Sequence, residues 1–260
     1  MIPEIEHYYG KNTHILDDHY LSTMLARLCH PHTHQPTINE LVHFLYTDLI
    51  KVVLNNEFPT TVTTAPTRMT AKHPKHFLKA LTLDSSQRTV SVNLARAGTF
   101  PSFICYNAMN YILNPEFVRQ DHVTAARKVD ENQKVVGITL EGSKIGGDVE
   151  NSIVLFPDPM GATGGTIVSA VEYYKKEVKG TAAKFIALHL IVTPEYLKRV
   201  QDSHPDLVIY AVRLDRGLSP DHVLNEKPGK FWSAERGLDD THYIVPGGGG
   251  FGEILNNSYV

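Results

Sequence analysis

Residues 158–166 read Asp-Pro-Met-Gly-Ala-Thr-Gly-Gly-Thr, directly after an apolar run, Ile-Val-Leu-Phe, at 153–156. This order of residue types suits one kind of chemistry. Gly161, Gly164 and Gly165 let the backbone turn tightly and bring its amides close to a ligand without side chains in the way. A helix beginning near Thr166 would add its dipole to those amides, an anion site best suited to phosphate. Thr163 and Thr166 can add hydroxyl donors. Asp158, one turn earlier, can accept hydrogen bonds from sugar hydroxyls, so carboxylate and cradle together suit a sugar phosphate. The nucleoside-triphosphate loop is excluded, since no Gly-Lys-Ser/Thr follows, and the glycine spacing is not that of the dinucleotide fingerprint. The same composition would also serve a plain strand–turn–helix junction.

The elements that must position this turn follow from periodicity. The run at 153–158 reads as a strand and Thr-Ile-Val-Ser-Ala-Val-Glu-Tyr-Tyr-Lys-Lys-Glu at 166–177 as a helix. Strands are also expected at 89–95, 122–128, 134–143, 184–193 and 206–214, with helices at 101–113 and 194–204, the latter with Pro194 at its start. Strands alternating with helices over 85–215 predict a mostly parallel α/β sheet, with ligands beyond the carboxyl ends of its strands. Ahead of this core, 15–30 and 37–55 read as two helices, the second capped by Thr37. A loop with two prolines separates them. The expected organisation is one domain over 1–260: an N-terminal helical segment (1–58), a protruding arm (59–84), the α/β core (85–215), and a glycine-rich hood (216–260) closing over the sheet edge.

Bulk composition excludes several classes. Of the 260 residues 42% are hydrophobic and 20% charged, and the net charge is −3. Such a balance fits an ordinary globular chain and gives no electrostatic case for nucleic acid or an anionic membrane. The longest apolar runs fall short of a membrane span. The opening residues carry no basic stretch followed by an apolar core, so no secretion signal is expected. Two cysteines, Cys29 and Cys105, cannot frame a disulfide scaffold, and a reduced, cytoplasmic setting is expected. Cys29, His30, His32 and His34 fit no closed zinc spacing and read as a polar loop.

The 158–166 segment resembles the phosphoribosyl-pyrophosphate motif of uracil phosphoribosyltransferases, Asp-Pro-Met-Leu-Ala-Thr-Gly-Gly-Ser, with Gly161 in place of leucine and Thr166 in place of serine. Leu-Ala-Arg-Ala-Gly-Thr-Phe at 94–100 resembles the family's Leu-Arg-Ala-Gly-Leu loop. Ala-Ala-Arg-Lys-Val-Asp-Glu at 125–131 is similar to its Tyr-Arg-Asp-Glu-Glu segment. His-Tyr-Ile-Val-Pro-Gly-Gly-Gly-Gly-Phe-Gly-Glu at 242–253 resembles its uracil loop, and Asp-Asp-His-Tyr-Leu at 17–21 its Asp-His-Pro-Leu opening. The matches occur in the family's order over nearly the whole chain.

This resemblance implies a type I phosphoribosyltransferase fold. The reaction it implies is uracil plus 5-phospho-α-D-ribose 1-diphosphate giving uridine monophosphate and diphosphate. It assigns the sugar diphosphate to Arg96, Arg127, Asp158, Pro159, Met160, Gly161, Ala162, Thr163, Gly164, Gly165, Thr166 and Gly250. Of these, Asp158, Arg127 and Arg96 would carry the catalysis. The uracil edge would be read by the main chain of Ile244, Gly249, Gly250 and Phe251. Magnesium is expected through the substrate's diphosphate rather than through a protein site. Relatives imply a homodimer or homotetramer and a GTP effector. Three residues depart from the family's uracil loop: Gly250 and Glu253 stand where it has aspartates, and Phe251 where it has alanine. Glu253 or Asp239 could supply the missing carboxylate. A different base, or a ligand-sensing regulator without catalysis, are the alternatives that these departures leave open.

Overall fold

The computed structural model describes residues 3–129 and 135–258, and the side chains among them outside 125–141. In chain order the principal elements are β1 (Thr13–Ile15), α1 (His19–Leu28), α2 (Thr37–Glu57), β2 (Thr60–Ala65), β3 (Leu78–Leu83), β4 (Thr89–Ala95) and α3 (Thr99–Ile112). There follow β5 (Val118–Val129), β6 (Val135–Lys144), β7 (Ile153–Pro157), β8 (Met160–Gly161), α4 (Gly165–Glu177), β9 (Lys184–Val192), α5 (Pro194–Ser203) and β10 (Val208–Leu214). Two short helices, α6 (Asp221–Leu224) and α7 (Phe251–Ile254), complete the chain.

The main sheet has the order β1-β10-β9-β7-β4-β5-β6, with β8 paired to β9 off this path. Every pairing is parallel except β5 with β6. Its central strands read as continuous apolar runs because both faces are covered. Along β7, Val154 and Phe156 enter one core with Ile167, Val171 and Tyr174 of α4 and Leu197 and Val200 of α5. Ile153 and Leu155, one step out of phase, enter the other with Leu21 and Leu25 of α1, Leu45 and Leu49 of α2, and Ile104 and Met109 of α3. The two-residue alternation of a strand thus serves two helical layers.

One consequence of this layering creates the site. β4 and β7 are neighbours, yet α3 after β4 packs on one face and α4 after β7 on the other. The chain therefore diverges beyond the carboxyl ends of these two strands and leaves a crevice between them, where open α/β sheets bind ligands. The C-terminal residues close that crevice. They are pinned by a buried pair, Arg216 with Glu235 at 3.0 Å, and by Arg216 bonds to the carbonyls of Val223, Leu224 and Glu226.

Several local expectations change. Residues 13–15 form a strand beside β10, and the first helix starts at His19, where the Asp18 carboxylate accepts from the amides of Tyr20 and Leu21 at 2.9 and 3.0 Å. Thr37 is the first helical residue of α2 rather than its cap, and Pro36 precedes it with no side-chain cap. Residues 60–83 form a separate antiparallel pair, β2 with β3, which leaves Val62, Leu78 and Leu81 exposed.

Candidate active site

Asp158 immediately follows β7. Its amide donates to the Leu188 carbonyl at 3.0 Å, so the backbone is still held in the sheet while the side chain turns to the crevice. The carboxylate is partly buried and accepts from the Met160 amide at 3.4 Å. Desolvation pushes its pKa up from 3.8 to about 6, against the smaller lowering effect of that amide.

Behind Asp158 stands a buried pair, His189 and Tyr196, that no motif in the sequence marks. His189, fully buried on β9, lies 2.5 Å from the Asp158 carbonyl through Nδ1 and 2.5 Å from the Tyr196 hydroxyl through Nε2. Burial lowers its pKa to about 4, so the ring is neutral. A carbonyl can only accept; Nδ1 therefore carries the proton, and Nε2 accepts from the Tyr196 hydroxyl. Tyr196 sits on α5, whose first turn is capped by the Thr193 hydroxyl, which accepts from the Tyr196 amide at 3.0 Å.

The turn after Asp158 is stitched to β9 before it becomes a helix. The Pro159 carbonyl accepts from Leu190 at 3.0 Å, and Met160 and Gly161 pair with Ile191 and Val192 as β8. Gly161 is required by close approach: a Cβ there would stand 2.9 Å from Val192 Cγ1 and 3.2 Å from the Tyr196 ring. Gly164, at φ +78°, is in the left-handed region and caps α4 without a side chain. The first amides of α4 have no acceptor within the helix. The residues that carry them, Gly165, Thr166 and Ile167, line the crevice together with Thr163 and Gly164.

Arg96 follows β4, after a cis peptide with Ala95. Its guanidinium donates to Ser258 Oγ at 2.8 Å and faces Glu253 Oε1 at 3.4 Å. The hood crosses opposite. Asp215, bound through both oxygens to Arg213, accepts from the Gly247 amide at 2.8 Å and sets the glycine run in place.

A cavity of about 380 Å³ results, and its walls bring most of the expected residues together: Arg96 from just after β4, Asp158, Met160 and Ala162–Thr166 from the turn, and Ile244, Gly249, Gly250 and Phe251 from the hood. Pro159 lies within the same turn. Arg127 is on β5, and its side chain lies outside the described residues. Phe251 lines the cavity but is only 3% exposed and belongs to the core beneath it, so its ring packs into the protein rather than standing free to stack on a base. Tyr196, Thr241, His242 and Tyr243 also line the cavity. The motif at 242–253 announced His242 and Tyr243 with the hood but not Tyr196 or Thr241, whose arrival depends on folding.

Among the described residues no three His, Cys, Asp or Glu side chains converge to hold a metal ion. The cavity's carboxylates are Asp158 and Glu253. Hard oxygens of this kind suit magnesium as a minority of its ligands, the rest coming from phosphate and water. No helix among the described residues is long and apolar enough to cross a membrane.

The sequence model of the family described as "Uracil phosphoribosyltransferase" matches residues 15–231. The chain is 36% identical over 113 residues to the uracil phosphoribosyltransferase of Streptococcus salivarius, covering 43% of each chain. It is also 37% identical over 112 residues to that of Streptococcus suis, again over 43% of each. The matched stretch thus spans less than half the length of these curated relatives. Among solved structures, the AQ2163 protein from Aquifex aeolicus superposes with a TM-score of 0.70 at 18% identity, covering 95% of this chain and 99% of that one. The adenine phosphoribosyltransferase of Leishmania donovani superposes with a TM-score of 0.51 at 13% identity, over 87% and 94%. At such identities the two structures speak for the fold, a mostly parallel sheet of the phosphoribosyltransferase kind.

Proposed function

The chain belongs to the uracil phosphoribosyltransferase family, and from that premise we propose that it transfers the phosphoribosyl group of 5-phospho-α-D-ribose 1-diphosphate to uracil, giving uridine monophosphate and diphosphate. The observation that carries this reading is the convergence, in one cavity of about 380 Å³, of a bare helix N-terminus, a carboxylate, an arginine and a loop of exposed backbone.

Each group has a role set by its chemistry. The amides at the start of α4, with Thr163 and Thr166, hold the ribose 5′-phosphate. Asp158 accepts from the ribose hydroxyls and keeps the sugar's anomeric carbon between the two halves of the site. Arg96 presents a planar fork to the departing diphosphate, which it can bind through two parallel bonds; Arg127 is its proposed second cation. Uracil shows acceptor, donor and acceptor along one edge, and the main chain of Ile244 and Gly249–Phe251 offers the matching set. A base that mismatched that edge would leave a buried polar group unpaired, at about 1–3 kcal/mol each. Magnesium bound with the diphosphate would supply positive charge to the leaving group, and Asp158 is the cavity carboxylate that would help to hold it. The residues themselves act by position and charge as the anomeric carbon gains oxocarbenium character. The homo-oligomeric state and the GTP effector that the resemblance implies, and the cytoplasmic setting expected from the two cysteines, belong to this proposal too.

The test is a diphosphate-release assay with the sugar diphosphate, magnesium and a panel of bases. Release should depend on uracil, and uridine monophosphate should be the product. Release with another base and none with uracil would reassign the substrate. Because Asp158 must be ionised to accept from the ribose, affinity for the sugar diphosphate should rise as pH climbs through about 6.

A further inference from the structure

The guanidinium of Arg96 already has partners, and both come from the C-terminal segment. Nη1 donates to Ser258 Oγ at 2.8 Å, and Nη2 faces Glu253 Oε1 at 3.4 Å. Ser258 and Asn256 both donate their amides to the Glu253 carbonyl, at 3.1 and 3.2 Å, a turn that holds Ser258 within reach of Arg96. Gly250 completes the arrangement. Its φ of −79° is open to any residue, so backbone geometry does not call for glycine. Space does: a Cβ at 250 would lie 2.3 Å from Glu253 Oε2. The missing side chain is what lets the Glu253 carboxylate stand where it does.

We propose that Glu253 is an internal ligand of Arg96, an anion supplied by the chain itself that the diphosphate of the substrate must displace. This rests on the reading that Arg96 receives the diphosphate. The chemistry favours exchange. The Arg96 and Glu253 side chains are 44% and 31% exposed, the contact is long and through a single pair of atoms, and such pairs are weak. A diphosphate offers several oxygens to the same planar fork and carries more charge. On exchange the guanidinium turns from Glu253 to the diphosphate, and no covalent bond changes. Glu253 is then left beside a polyanion of like charge, so its presence lowers affinity and its removal raises it. A carboxylate that instead helped hold the substrate would give the opposite sign.

The experiment is calorimetric titration of inorganic diphosphate, at low salt and without divalent metal, into the wild-type chain and three variants. Glu253→Gln should tighten binding by roughly 1.5- to 5-fold, the range expected for loss of a competing exposed pair. Gly250→Ala should also tighten it with Glu253 still present, because the new Cβ expels the carboxylate. Arg96→Gln should weaken binding, and adding Glu253→Gln to it should then produce a smaller gain than in the wild type, because only like-charge repulsion and no competition for the guanidinium is left to relieve. Unchanged or weaker binding in Glu253→Gln, with Arg96→Gln weakened as expected, would overturn the inference while sparing the reading beneath it. Unaltered binding in Arg96→Gln would instead remove Arg96 from the diphosphate site.

Discussion

Asp158 is a carboxyl held partly out of water, and its chemistry is therefore tied to stability. Below about pH 4 both folded and unfolded chains keep its proton; above about 6 both have lost it. Between these values the folded chain holds a proton that the unfolded chain has released, so stability declines as pH rises through the window. Asp158→Asn removes the charge and should stabilise the fold at pH 8 by up to about 3 kcal/mol, with the gain vanishing near pH 4. Thermal melts of both proteins at the two pH values check this; an equal gap at both would show that desolvation of the carboxylate is not the cause. The same variant should lose roughly 10²–10³ in turnover, the scale of removing one well-placed polar group from an active site. Asp158 was legible in the sequence because a carboxylate interrupts an apolar run just before a glycine turn. His189 was not. It lies inside Ala-Leu-His-Leu-Ile, and nothing linear links it to Tyr196, which a strand-to-helix turn carries back onto it.

At the scale of elements, the strand, turn and helix from 153 to 177 act as one device. Apolar continuity and glycine content announced β7, the turn and α4, and the long strands flanking them were equally plain. The short pieces were not: β1 and β8 span three and two residues, too few to show any period, and exist through pairing with β10 and β9. The exchange of leucine for Gly161 within the motif also finds its reason only here, since the Tyr196 ring and Val192 occupy the space. Gly161→Ala should therefore destabilise the chain by about 1–3 kcal/mol through overpacking. Pairing it with Tyr196→Ala should recover part of that loss. A double-mutant cycle by urea unfolding measures the coupling, and strict additivity would refute the trade of volume. Gly164→Ala faces a left-handed backbone and Val200 Cγ2 at 3.1 Å. It should cost about 1–2 kcal/mol, and it should weaken phosphate binding because the cap that aims the α4 amides is distorted.

For the whole molecule, the order of strands decides where chemistry can happen. Adjacent strands β4 and β7 send their helices to opposite faces, and the crevice between their ends receives Arg96, Asp158 and the bare start of α4. The alternation of strands and helices made a parallel sheet readable, but neither that order nor the return of residues 241–253 over the crevice is encoded at any fixed spacing. It depends on buried pairs far apart in the chain, such as Arg216 with Glu235 and Asp215 with the Gly247 amide. In the proposed function two distant segments of the chain grip one nucleotide from its two ends. A crystal structure with uridine monophosphate bound tests it directly. The phosphate should lie on the amides at the start of α4, with the base edge on the main chain of Ile244 and Gly249–Phe251. A phosphate bound elsewhere, or a base pointing away from the C-terminal glycines, would contradict it.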